Sequence, residues 1–164
     1  MPDPADRDFG GIRVTRADWP LVVIEFPEKR VEDSAFQAML AHNEALMLEA
    51  RSRGEKLFFI SDLTRMREVT PASQRKYAAQ SVERTFDLAR VSAVGAAHVT
   101  PSTLLRGLFT AVFWIYRPPM PAVFVATREE AIEHGAQILE AAGQRLPARL
   151  AAHRWSAGQA ERLW

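Results

Sequence analysis

The stretch KLFFISDL, residues 56–63, decides the fold of this chain. It is a short apolar run bounded by charged residues, and such a run is typical of a strand that is buried on both faces of a sheet. Strands of this kind lie parallel to their neighbours, and parallel strands are joined by crossover helices. The sequence on either side of the stretch is therefore expected to alternate between strand and helix.

A β-hairpin and a long helix are predicted before the stretch. Two β-branched runs, residues 12–15 and 21–26, are separated by the turn residues ADWP, which is a hairpin signal. From Asp33 or Ser34 onwards, apolar residues recur at helical spacing. Gly54 supplies the signal that ends this helix.

Three helices and two strands are predicted after the stretch. Thr70 and Thr100 are each followed by proline, and Thr127 opens the capping sequence Thr-Arg-Glu-Glu; all three patterns mark helix starts. Residues 91–99 and 122–127 have the composition of strands. The predicted order is therefore β-β-α-β-α-β-α-β-α.

This order predicts an α/β fold in which a mixed, mostly parallel sheet of five strands is flanked by four helices. The length of 164 residues suits one domain. We expect a flexible N-terminal arm at residues 1–10, the folded domain at residues 11–143, and a basic C-terminal tail or short helix at residues 144–164.

The composition argues against several classes of protein. Lysine plus arginine number 21 and aspartate plus glutamate 20, and this balance gives no basis for a nucleic-acid partner. The absence of cysteine removes disulfides, thiolate metal ligands and cysteine nucleophiles. The N-terminus has no apolar signal segment, and no run approaches the ~20 apolar residues of a transmembrane helix. A cytoplasmic location is the resulting prediction.

The sequence contains no motif that predicts catalysis or metal binding. The four histidines, His42, His98, His134 and His153, lie far apart and form none of the paired motifs of metal sites. His134 lies one helical turn from Glu130, and both are expected to face solvent. Neither a GxSxG elbow nor a phosphate-binding glycine loop occurs. We therefore expect a protein that is not an enzyme and uses no metal or cofactor.

One set of polar residues could still form a ligand site at the carboxyl edge of the sheet. Loops that leave parallel strands gather at this edge, and three predicted helix N-termini would favour an anion there. The candidate residues are Asp62, Thr64, Arg65, His98, Thr100, Ser102, Thr127 and Arg128. The alternative is structural: the threonines cap their own helices, and Asp62 bonds the backbone of its loop.

The predicted helix 101–117 is more apolar than a sheet-covering helix needs to be. At 100° per residue, Leu104, Leu108, Val112 and Ile115 fall together, and the apolar arc exceeds half of the circumference. The surplus predicts an interface, assigned with its flanking arginines to Arg106, Phe109, Phe113, Trp114, Tyr116 and Arg117. In order of preference, the candidate neighbours are a second copy of the chain, the C-terminal tail, a small apolar ligand and, weakly, an anionic membrane surface.

The element order, with DLTRMREVTP (62–71) after one buried strand and HVTPSTLLRGLFTAVFW (98–114) after the next, resembles the SpoIIAA-like branch of the STAS superfamily. The superfamily is named for sulphate transporters and anti-sigma-factor antagonists. The resemblance covers roughly residues 11–143 and implies a sheet flanked by helices that acts by binding. The architecture is also similar to that of the CRAL-TRIO lipid carriers.

The chain departs from the anti-sigma antagonists at the phosphorylated loop. Asp62-Leu63-Thr64 matches the start of that loop, but Pro71 and Ala72 stand where the phosphorylated serine is expected. Thr70 and Ser73 carry hydroxyl groups nearby, but a role in helix capping accounts for the presence of both residues. We therefore do not expect phosphorylation of this loop to control the chain as it does in the anti-sigma antagonists.

Together these inferences predict a non-catalytic, STAS-like binding or regulatory module that acts through protein–protein contact. The predicted contact is self-association through helix 101–117, which gives a homodimer, or binding of another protein. The alternative is a carrier or sensor of a small apolar, amphiphilic or anionic ligand.

Overall fold

The computed structural model describes residues 6–104, 106–107, 110–111, 117–151 and 161–163. The strands are β1 Arg7–Phe9, β2 Ile12–Asp18, β3 Leu21–Glu25, β4 Leu57–Asp62, β5 Ala93–Val99, β6 Ala122–Val125 and β7 Glu161–Leu163. The helices are α1 Asp33–Arg53, α2 Ala72–Ser92, α3 Arg128–Ala141 and α4 Ala148–Ala151. Further helical residues lie at 103–104, 106–107 and 110–111.

The strands form a single mixed sheet whose spatial order follows the chain order. Strands β3 to β6 are parallel to one another, as the alternation of strands and helices predicts. The pairs β1–β2, β2–β3 and β6–β7 are antiparallel. The α/β class and the mixed sheet are thus confirmed. The expectation of a mostly parallel sheet is wrong for the described residues, in which three pairs are parallel and three antiparallel.

The predicted number of five strands is also wrong. Six strands lie between residues 7 and 125, and the short strand β7 joins the sheet at the other edge. The extra strand β1 falls within the expected N-terminal arm. Gly10 and Gly11 adopt φ values of 62° and 103°, and this left-handed geometry lets Phe9 pair with Ile12 across a two-residue turn.

The sheet has an apolar core on each face. Along β4 the side chains alternate, so that Leu57 and Phe59 contact one core while Phe58 and Ile60 contact the other. Helices α1 and α2 pack over the first core, and α3 packs over the second. The central position of KLFFISDL in the sheet is thus confirmed.

The helix signals at Gly54 and Thr127 are confirmed, whereas the one at Thr70 is not. Gly54 ends α1 with a φ of 68°, and the Thr127 Oγ1 accepts a hydrogen bond from the Glu130 N–H at the start of α3. The residues in the N-cap positions of α1 and α2 are Glu32 and Pro71, and neither accepts a side-chain capping bond. The Thr70 side chain therefore does not cap α2.

Side chains at the tip of the β2–β3 hairpin form hydrogen bonds and cation–π contacts with residues near the C-terminal end of α1. Arg16 donates to both carboxylate oxygens of Glu49, at 2.6 and 2.7 Å, and this contact lowers the pKa of Glu49. The guanidinium groups of Arg16 and Arg53 lie over the Trp19 ring, at 4.4 and 5.1 Å from its centroid. The Trp19 indole N–H donates to Glu55.

Part of the C-terminal tail packs against the domain. Gln144 Oε1 accepts from the Lys56 N–H at 2.9 Å, Arg149 forms an ion pair with Asp18, and Leu150 is buried in the α3-side core. Among the described residues, no helix has both the length and the apolar content to cross a bilayer.

Candidate functional site

A cluster of charged side chains lies at the carboxyl edge of the sheet. Glu25 and Asp62 end β3 and β4 and are register partners, so their side chains point to the same face, towards α3. Arg128, the first residue of α3, bridges them: its Nη1 lies 2.5 Å from Glu25 Oε1 and 3.9 Å from Asp62 Oδ2. Arg13 approaches Glu25 from β2, at 3.7 Å. The two carboxylates are therefore neutralised by arginine within the fold.

Asp62 also holds the loop that follows β4. Its Oδ1 accepts hydrogen bonds from the Thr64 N–H at 3.0 Å and from the Thr64 hydroxyl at 2.6 Å. The two bonds close an Asx turn. The alternative to a ligand site, in which Asp62 bonds the backbone of its own loop, predicts this contact.

The loop after β5 is organised around Thr100, which is fully buried. Its N–H donates to the Val125 carbonyl, and its Oγ1 accepts from the Ser102 N–H at 3.2 Å. Arg106 donates from Nη2 to the Thr100 carbonyl at 3.3 Å. Thr100 therefore joins the end of β6 to the start of the segment 101–117.

His98 does not belong to the charged cluster. It pairs in register with Ser61, one position before Asp62, so its side chain points to the opposite face of the sheet. There the ring lies 5.3 Å from the Phe124 ring, centroid to centroid. Burial lowers the pKa of His98 to about 4. The imidazole is consequently neutral at physiological pH.

The structure thus brings together some of the predicted edge residues and separates others. Asp62, Thr64 and Arg128 lie together, whereas His98 lies across the sheet and Arg65 is exposed, with no hydrogen bond or ion pair to the described residues. Glu25 was not among the predicted edge residues. The signal was present, because Glu25 ends a strand of the same parallel set and must reach the same edge.

An open cleft lies between the loops that follow β3 and β4. Gln74 lines the cleft and is buried; its Nε2 donates to the Val31 carbonyl and to Asp33 Oδ1. These bonds connect the N-terminal turns of α1 and α2. No local sequence signal marks Gln74, because its role depends on contacts with residues 41 and 43 positions away.

The described residues contain no group of three or more histidine, aspartate or glutamate side chains that could hold a metal ion. The expectation that His134 faces solvent is wrong. His134 is buried, and its ring meets the Phe58 ring edge-on at 5.8 Å. Glu130 Oε2 accepts a hydrogen bond from the Ala126 N–H at 3.0 Å, one residue before the N-cap residue Thr127.

Most of the predicted interface on helix 101–117 lies outside the described residues; this applies to Phe109, Phe113, Trp114 and Tyr116. Of the described members, Arg106 contacts Thr100, and Arg117 is exposed. Leu104 lies in the helical part of the segment and is 77% exposed, more than any other large apolar side chain that the structure describes.

Fold and site together define an α/β protein with a mixed sheet between two helical layers and a charged cluster at the carboxyl edge. Comparisons with protein-family models, curated proteins and solved structures find no match to this chain. The resemblance to STAS and CRAL-TRIO domains therefore stays a prediction from the sequence.

Proposed function

We propose that this protein is a non-catalytic, STAS-like binding module that associates with a second copy of itself through the segment 101–117. The exposure of Leu104 carries the proposal, because this residue begins the apolar sequence LLRGLFTAVFWIY. Contiguous exposed apolar patches mark interaction surfaces, and Leu104 together with the apolar residues that follow it in the sequence would supply such a patch. Burial of two aromatic side chains would stabilise the contact by several kcal/mol, at about 25 cal/mol per Å² of apolar area.

The carboxyl edge supports binding over catalysis. Glu25, Asp62 and Arg128 satisfy one another, and the Thr100 and Thr127 hydroxyls accept hydrogen bonds from the Ser102 and Glu130 N–H groups. Side chains that are engaged in this way hold loops in place. The segment 101–117 follows one of these loops, so the edge fixes the point from which the proposed contact surface begins.

Substitution of glutamine for both Phe109 and Trp114 tests the proposal. The double variant is expected to remain folded and to become monomeric, because the substitutions remove apolar area from the proposed interface and leave every residue of the two described cores unchanged. Light scattering gives the mass, and circular dichroism checks the fold.

The matched control replaces Phe86 and Val91, two apolar residues of α2 that are 38% and 53% exposed, by glutamine. This control should keep the mass of the unmodified chain. A Phe109/Trp114 variant that keeps that mass as well would count against self-association through the segment.

A further inference from the structure

Strand β1 is attached to the rest of the fold by a small set of contacts. It pairs with β2 over three residues, and Arg7 and Asp8 are exposed. On the helical side, the Phe9 ring lies 5.3 Å from the His42 ring on α1, centroid to centroid. The short ladder and this ring contact together hold β1 in place.

His42 is placed where a neutral imidazole is preferred. Its Nε2 atom is buried and has no hydrogen-bond partner among the described residues. A protonated ring carries an N–H group at this position, and a buried donor without an acceptor destabilises the folded state. Protonation of His42 therefore conflicts with the packing between β1 and α1.

The charges around His42 also oppose protonation. Arg7 on β1 and Arg16 on β2 repel an imidazolium, whereas Glu49 on α1 attracts it. The Glu49 carboxylate, however, already accepts hydrogen bonds from Arg16 on both oxygens. Burial, followed by the two arginines, lowers the pKa of His42 below its usual 6.5.

We propose that β1 is an edge strand released by acid: uptake of a proton by His42 separates β1 and its turn from α1 and leaves β2 as the edge of the sheet. The released state solvates the ring and binds the proton more tightly, so acid shifts the equilibrium towards release. For each unit by which packing lowers the pKa of His42, protonation can raise the ratio of released to attached β1 by at most about tenfold. The exposed β2 then offers unpaired backbone groups to another strand.

Amide hydrogen exchange of residues 7–9, corrected for the intrinsic rate, tests the proposal between about pH 7.5 and about pH 5.5. In the unmodified chain, protection of these amides should fall as the pH drops. In the His42→Phe chain it should stay constant, because phenylalanine keeps the ring contact with Phe9 and cannot ionise. Constant protection in the unmodified chain, or an equal fall in both chains, would overturn the proposal.

A second measurement covers the case in which His42→Phe does not fold. In a Phe9→Ala chain the contact between β1 and α1 is weakened, so the pKa of His42, followed by NMR titration, should rise towards 6.5. The same pKa in the Phe9→Ala chain and in the unmodified chain would also overturn the proposal.

Discussion

Replacement of Phe58 by alanine is expected to lower the free energy of unfolding by about 3–5 kcal/mol. Phe58 lies in the central strand β4, is 1% exposed and belongs to the α3-side core. Its ring lies between two glycines. A Cβ added at Gly135 would lie 2.7 Å from Phe58 Cδ1, and one added at Gly95 would lie 2.8 Å from Phe58 Cε2. Since neither glycine has a side chain that could move into the cavity, we expect a loss at the upper end of the range.

Urea denaturation followed by circular dichroism measures this loss. The matched control is Phe59→Ala, because Phe59 is the next residue of the same strand, faces the other core and is only partly buried. The control should lose clearly less stability than Phe58→Ala. Equal losses of stability in the two variants would contradict the conclusion that Phe58 is the more closely packed of the two rings.

Acid is expected to destabilise the protein through His98. In the folded state burial lowers the pKa of His98 from 6.5 to about 4. Between these two pH values the unfolded chain binds the proton and the folded chain does not, so the stability is complete above pH 6.5 and is lost progressively as the pH falls towards 4. A shift of this size corresponds to a loss of about 3 kcal/mol.

The His98→Phe chain is the control for this prediction. Phenylalanine preserves ring packing against Phe124 and removes the titrating group. Urea denaturation at several pH values should therefore show a smaller loss between pH 6.5 and 4 in His98→Phe than in the unmodified chain. Parallel pH profiles for the two chains would show that His98 is not the group responsible.

The parts of the fold that local signals specify were predictable from the sequence. The apolar run of β4, the glycine that ends α1 and the N-cap at Thr127 each act within a few residues, and the structure confirms them. Strand β1 was not predictable in the same way. Its sequence, Arg-Asp-Phe, has no strand pattern of its own, and its conformation depends on pairing with β2 across Gly10 and Gly11.

For the candidate site, the sequence predicts which residues reach the carboxyl edge of the sheet but not which face of the sheet each side chain lies on. Strand order brings Asp62 and Arg128 to that edge. The face on which each side chain lies depends on register, and a shift of one residue moves a side chain to the other face. The register that pairs Ser61 with His98, and thereby separates His98 from Asp62, comes from packing between distant segments.

The mass of the unmodified chain in solution, measured by native mass spectrometry over a range of concentrations, tests the central claim most directly. One chain has a mass of 18.4 kDa. Self-association predicts a species of twice that mass, without a bound small molecule, that dissociates on dilution. A species with the mass of one chain at every concentration would contradict the account, and added mass from a co-purified lipid would favour the carrier instead.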